Sequence, residues 1–137
     1  MTREAHHTME KRCIVSKNGP PAAGPYSHAV AAGNLLFVSG QGPLAKDGSG
    51  PMRGTFEEET RRTLDNLQAV LEDSGSSLGQ VVKVTAFLLD IGNFGEFNRI
   101  YKEYFPSDCP ARTCVQAARL PAGFQVEIEA IAIIPER

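Results

Sequence analysis

Apolar residues recur at every second position in some stretches of this chain and at every third or fourth in others, and each switch of period marks an element. Arg12 to Ser16 reads as a short strand. The prolines and glycines from Asn18-Gly19-Pro20-Pro21 to Gly24-Pro25 then force bent or extended backbone. His28 to Ala32 and Leu35 to Ser39 are strand-like runs separated by Gly33-Asn34, a two-residue link that predicts a β-hairpin. Gly40 to Gly54 is rich in glycine, contains Pro43 and Pro51 and reads as a loop placed to overhang a cleft. Thr55-Phe56-Glu57-Glu58 is a capping box, and Glu57, Glu58 and Glu59 suit the positive end of the helix that it opens. The stripe Leu64, Leu67, Val70 and Leu71 carries this helix to a left-handed stop at Gly75. Val81 to Leu89 is a strand bounded by Asp90 and Gly92. Asn93-Phe94-Gly95-Glu96 repeats the capping pattern and opens a second helix whose face carries Phe94, Phe97, Tyr101 and Tyr104, read as core packing, before Pro106 ends it. Arg112 to Ala117 and Gln125 to Ile134 close the chain as strands joined by Arg119-Leu120-Pro121-Ala122-Gly123.

The sum is about six strands and two helices in the order ββ(β)αβαββ, an α+β fold with a largely antiparallel sheet. Two helices cover one sheet face. The other face, with residues such as Val82, Val84, Val115 and Ile131 or their neighbours, needs another subunit if it is not to stand as exposed apolar surface. A chain of 137 residues fits one domain, spanning 13–137. Residues 1–12 read as a mobile tail or an expression remnant. His6-His7 belongs to that tail more naturally than to a metal site, and with only His28 elsewhere no metal is expected.

Fourteen Lys and Arg against sixteen Asp and Glu give a net charge of −2, so no overall field draws in nucleic acid or an anionic membrane. No stretch approaches the roughly 18 apolar residues of a membrane span. Three cysteines without a CxxC pair fit neither a disulfide framework nor a zinc knuckle, and point to a reducing, cytoplasmic setting.

The candidate chemistry lies near the C-terminus. Val126-Glu127-Ile128-Glu129-Ala130-Ile131-Ala132-Ile133-Ile134 has the pattern of a buried strand, interrupted by two carboxylates that need a cation or several donors, or else a raised pKa. Arg112 is the nearest candidate cation. An arginine and a carboxylate on neighbouring strands supply a bidentate anchor for a small organic acid and a base to work on it. The same pair equally describes a salt bridge tying two strands together.

Gly24-Pro25-Tyr26-Ser27, Phe37-Val38-Ser39-Gly40-Gln41, Asp65-Asn66-Leu67, Phe97-Asn98, Pro110-Ala111-Arg112, Arg119-Leu120-Pro121 and Val126-Glu127-Ile128-Glu129 closely resemble, in order and spacing, the RidA/YjgF family, also labelled the L-PSP endoribonuclease family. The resemblance runs from about residue 13 to 134. It implies a chorismate-mutase-like fold, a homotrimer with a barrel of sheets inside, helices outside and clefts between subunits. It also implies hydrolysis of reactive 2-imino acids, tautomers of enamines such as 2-aminoacrylate, to 2-keto acids and ammonia, with no cofactor. Carried onto this chain, the carboxylate clamp falls on Arg112, the acid/base carboxylate on Glu127, and further substrate-binding positions on Tyr26, Gly40, Asn98 and Cys114.

Those residue types suit the reaction. Arg112 presents a planar fork of donors, and Glu127 is placed to orient or deprotonate water and return a proton to the leaving nitrogen. Gly40 allows close backbone approach or simply ends a strand, and Tyr26 offers ring packing or a hydroxyl. Cys114, two residues from Arg112, shares its strand face and contributes backbone and shape, since no histidine partner is evident. The chain departs from the family pattern at His28 and Glu59, where Gln is common, and in the loop Pro43 to Gly54. An endoribonuclease or translation inhibitor, and a noncatalytic binder of small carboxylates, are the competing readings.

Overall fold

The computed structural model describes residues 9–136, so His6-His7 and most of the expected tail lie outside the described residues. One six-stranded sheet is built from β1 (Lys11–Ile14), β2 (Ala29–Ala32), β3 (Leu35–Gln41), β4 (Val81–Leu88), β5 (Ala111–Gln116) and β6 (Val126–Ile133). Their spatial order is β1-β2-β3-β6-β4-β5. Every neighbouring pair is antiparallel except β4 with β5, which are parallel and joined through a helix, as a parallel connection requires. The two helices, α1 (Phe56–Asp73) and α2 (Phe94–Tyr104), pack together, and α1 lies against β3 and β6.

Local chemistry explains the element ends. Thr55 Oγ1 accepts from the Glu58 N–H at 3.1 Å while Glu58 Oε1 accepts from the Thr55 N–H at 2.9 Å, the reciprocal capping box that the sequence predicts. Gly75, with φ of 86°, ends α1. The link at Gly33 likewise uses positive φ, at 60°, to turn β2 into β3. At α2 the expected cap differs: the Asn93 side chain makes no capping bond, and Asp90 instead accepts from the Gly92 N–H at 2.8 Å in a short 3₁₀ turn that leads into the helix.

The core lies between the sheet and the helices. Val126, Ile128, Ala130 and Ala132 of β6 meet Leu64, Leu67, Val70 and Leu71 of α1 there, and each fully buried leucine contributes about 1.5–3 kcal/mol relative to exposure. Val84 also lies in this core, contrary to its expected place on the uncovered face. A register shift between Val81 and Lys83 changes the phase of β4, so that Val82 is exposed while Val84 is buried. The opposite face carries Phe37, paired in register with Ile131, together with Leu35, Val115, Glu127 and Glu129. Phe37, Leu35 and Val115 are exposed apolar residues on it.

Candidate active site

Glu127 stands on the open face of β6, opposite Phe87 of β4. Its carboxylate lies over Gly40, in the space a Cβ at that position would occupy. Gly40 falls within a register shift of β3 between Val38 and Gln41, a bulge that bends the strand beside the carboxylate. Ser39 fixes the bulge, its Oγ donating to the Ser27 carbonyl at 2.6 Å and its N–H to the His28 carbonyl at 3.0 Å. The missing side chain at Gly40 therefore serves Glu127 first, a use that sequence reasoning did not identify.

Around Glu127 opens a cleft of about 660 Å³, walled by Tyr26, Leu44, Pro51, Phe124 and Glu129. The loop expected to overhang a cleft does so: Leu44 and Pro51 form an isolated bridge at its edge. Tyr26 is held by the bend before it, its hydroxyl accepting from the Ala23 N–H at 3.1 Å, which leaves the phenolic proton available to the cleft. Burial, reinforced by the neighbouring charge of Glu129, raises the pKa of Glu127 above the usual carboxylate range.

A second cluster forms around Arg112 on β5. Arg112 Nη2 donates to Asn98 Oδ1 of α2 at 2.8 Å. Its guanidinium carbon sits 4.7 Å from the Tyr101 ring centroid and 5.5 Å from those of Phe94 and Phe97. Arg112 makes no salt bridge among the described residues. A half-buried guanidinium resting on aromatic faces, with donors still unpaired, is a receptor for an anion. Cys114 shares this face, as the two-residue spacing predicts, and burial raises its thiol pKa against the opposing pull of Arg112. A thiol shifted in that direction is a poorer nucleophile at neutral pH, which fits a role in shape.

The two clusters do not meet within one chain. Arg112 pairs with Val84, whose side chain faces the helices, whereas Glu127 faces the open side. Strand β4 runs between β5 and β6, so the expectation of neighbouring strands is corrected, and no strand-tying salt bridge forms between the two residues. Tyr26, Gly40 and Glu127 make one half-site; Arg112, Asn98 and Cys114 make the other.

Two of the departures from the expected pattern, His28 and Glu59, are absorbed locally. His28 is buried, its Nδ1 accepting from the Ser16 N–H at 3.1 Å and its Nε2 2.7 Å from the Pro20 carbonyl, an arrangement that fits the Nε2–H tautomer and pins the Pro-rich bend leading to Tyr26. Glu59, also buried, accepts from the backbone and side-chain N–H groups of Gln125, each at 3.0 Å, and so holds the start of β6 two residues before Glu127. Glu129, Phe124 and Tyr101 were not foreseen as site residues. Only Glu129 carried a signal, its two-residue spacing from Glu127 on one strand.

A family model described as Endoribonuclease L-PSP matches residues 16–134. The chain belongs to this family. Among its relatives, Protein HMF1 of Saccharomyces cerevisiae is 44% identical over 119 residues, covering 87% of this chain and 92% of HMF1. TdcF of Escherichia coli, named as a candidate reactive intermediate deaminase, is 36% identical over 126 residues, covering 90% of this chain and 97% of TdcF. The crystal structure of E. coli TdcF with bound serine superposes with a TM-score of 0.84 over 89% of this chain and 98% of that one. A Thermotoga maritima protein described as a candidate endoribonuclease reaches a TM-score of 0.87 at 45% identity, over 91% of this chain and 98% of that one.

Proposed function

We propose that this protein is a hydrolytic deaminase of reactive 2-imino acids and their enamine tautomers, 2-aminoacrylate/2-iminopropanoate and 2-iminobutanoate, acting as a homotrimer without a cofactor. The observation that carries the reading is Arg112: a fork oriented by Asn98, resting on aromatic rings and lacking a carboxylate partner among the described residues. A small carboxylate supplies what that fork lacks. Because Glu127 opens onto the other sheet face, one cleft takes Arg112 from one subunit and Glu127 from the next. The exposed apolar residues Phe37, Leu35 and Val115 on the Glu127 face support such an assembly.

In this cleft the substrate carboxylate is clamped by Arg112, which orients the adjacent C=N carbon. Glu127 takes a proton from water as the water oxygen bonds to that carbon, and the C=N bond becomes a single bond to an amino group. Glu127 returns the proton to nitrogen. A second transfer through Glu127 carries the hydroxyl proton to nitrogen as the C–N bond breaks; the bond's electron pair leaves with ammonia, and the hydroxyl oxygen becomes the carbonyl of the 2-keto acid. A carboxylate with a raised pKa suits both transfers. TdcF, with its deaminase name and its serine-bound crystal structure, supports a ligand of amino-acid size. Glu127 and Glu129 together repel a phosphodiester backbone, which disfavours RNA as the substrate despite the family's description. Three free cysteines suit a reducing, cytoplasmic setting, although one relative, MMF1, is named mitochondrial.

The test generates 2-aminoacrylate with a serine dehydratase and follows pyruvate release with and without this protein. Faster release is the expected result. Carboxylate binding without acceleration would mark a noncatalytic binder, and RNA cleavage without imine hydrolysis would mark a ribonuclease.

A further inference from the structure

We infer that Tyr101 is a positioning residue that orients the Arg112 fork through its ring face rather than through its hydroxyl. Tyr101 is 6% exposed and wedged in α2 between the tilted ring of Phe97, 5.5 Å away, and the stacked ring of Phe105, 4.6 Å away. Of the three rings beneath Arg112, that of Tyr101 is nearest. Its hydroxyl is buried and has no hydrogen-bond partner among the described residues. Among the described residues it is the ring of Tyr101, not its hydroxyl, that meets Arg112.

The geometry gives that contact a use. Guanidinium donors radiate in the plane of the group, while the faces of the plane carry none. A carboxylate partner would hold Arg112 by its edge, consume two donors, cancel its charge and compete with an incoming carboxylate. A ring holds it by the face and leaves the edge open, with only one Nη2 bond spent on Asn98. Tyr101 thus explains how a half-buried arginine stays oriented with no acid beside it. The inference draws on the deaminase reading for what the fork receives, but the orientation of the fork is measurable without any substrate.

The experiment compares Tyr101→Phe, Tyr101→Leu and pentafluorophenylalanine introduced at position 101. The last keeps the ring shape while reversing its quadrupole, so the question stays open to test where the leucine variant does not fold. Phe105→Leu serves as the control for lost aromatic packing away from Arg112. Two quantities are read on the intact protein: the NMR order of the Arg112 Nε–Hε signal, assigned by its loss in Arg112→Lys, and the affinity for pyruvate. Tyr101→Phe and Phe105→Leu are expected to keep both. Tyr101→Leu and the fluorinated ring are expected to disorder the Arg112 signal and weaken pyruvate binding roughly 2- to 30-fold, with KM rising more than kcat falls. An Arg112 signal equally ordered in the wild type, the leucine variant and the fluorinated variant overturns the inference whatever the activity, as does equal disorder in Phe105→Leu. An ordered wild-type fork that loosens only with the ring, in a protein without imine hydrolysis, leaves the inference standing and removes the deaminase reading.

Discussion

The carboxylate of Glu127 occupies the space that a side chain at Gly40 would fill. Gly40→Ala therefore drives the methyl group into the group proposed to activate water, while the β3 bulge and the core behind it remain. Turnover is expected to fall about 10²-fold, the scale of a misplacement of roughly 1 Å, with the circular dichroism spectrum unchanged. Unaltered kinetics in this variant would remove the Glu127 carboxylate from the reaction.

Arg112→Lys keeps the positive charge and loses the planar fork. Loss of one charge-assisted hydrogen bond of about 1.5–3 kcal/mol should lower kcat/KM roughly 10- to 100-fold, with assembly and Tm little changed. The drop should be matched by weaker binding of a 2-keto acid in a calorimetric titration.

Glu127→Gln should lower the rate about 10²–10⁴-fold while preserving ligand binding. The wild-type kcat/KM should fall as pH drops through a midpoint above the ordinary glutamate value of about 4.3, because the ionised form is the base. Stability responds with the opposite sign. Between the ordinary and the raised pKa the folded chain holds a proton that the unfolded chain has lost, so rising pH destabilises the fold across that window. Urea unfolding of Glu127→Gln should lack this slope.

Light scattering should report about three times the 14.8 kDa chain mass. Arg112→Ala and Glu127→Gln proteins, each inactive alone, should regain activity when refolded together. Random mixing leaves about a quarter of the clefts with both wild-type halves. No recovery from well-formed mixed trimers would mean that the two residues do not share a cleft.

What is legible in the chain is local. The Thr55 capping box, the Gly33 turn and the shared face of Arg112 and Cys114 depend on residues a few positions apart, and all three occur as expected. Long-range pairing is not encoded in any one strand. β6 inserts between β3 and β4, so Arg112 and Glu127, adjacent strands by sequence order, end two strands apart on opposite faces. Period-2 reasoning also fails at a bulge: Val82 and Val84 read as one face until the irregularity after Val81 separates them. Tyr101 reads as core and is core. Its contact with Arg112 depends on where α2 crosses the edge of the sheet, which the pattern of α2 alone does not carry.

The sheet that separates Arg112 from Glu127 also insulates them from each other. Had both faced one side of a newly made chain, Coulomb attraction would have closed them into an internal ion pair before any partner arrived, and each would have quenched the other. Placed back to back, about 10 Å apart along β4 alone, they stay unspent through synthesis and folding. In the proposed trimer a lone chain is then inert by construction, and catalytic competence is acquired in the encounter that completes the quaternary structure.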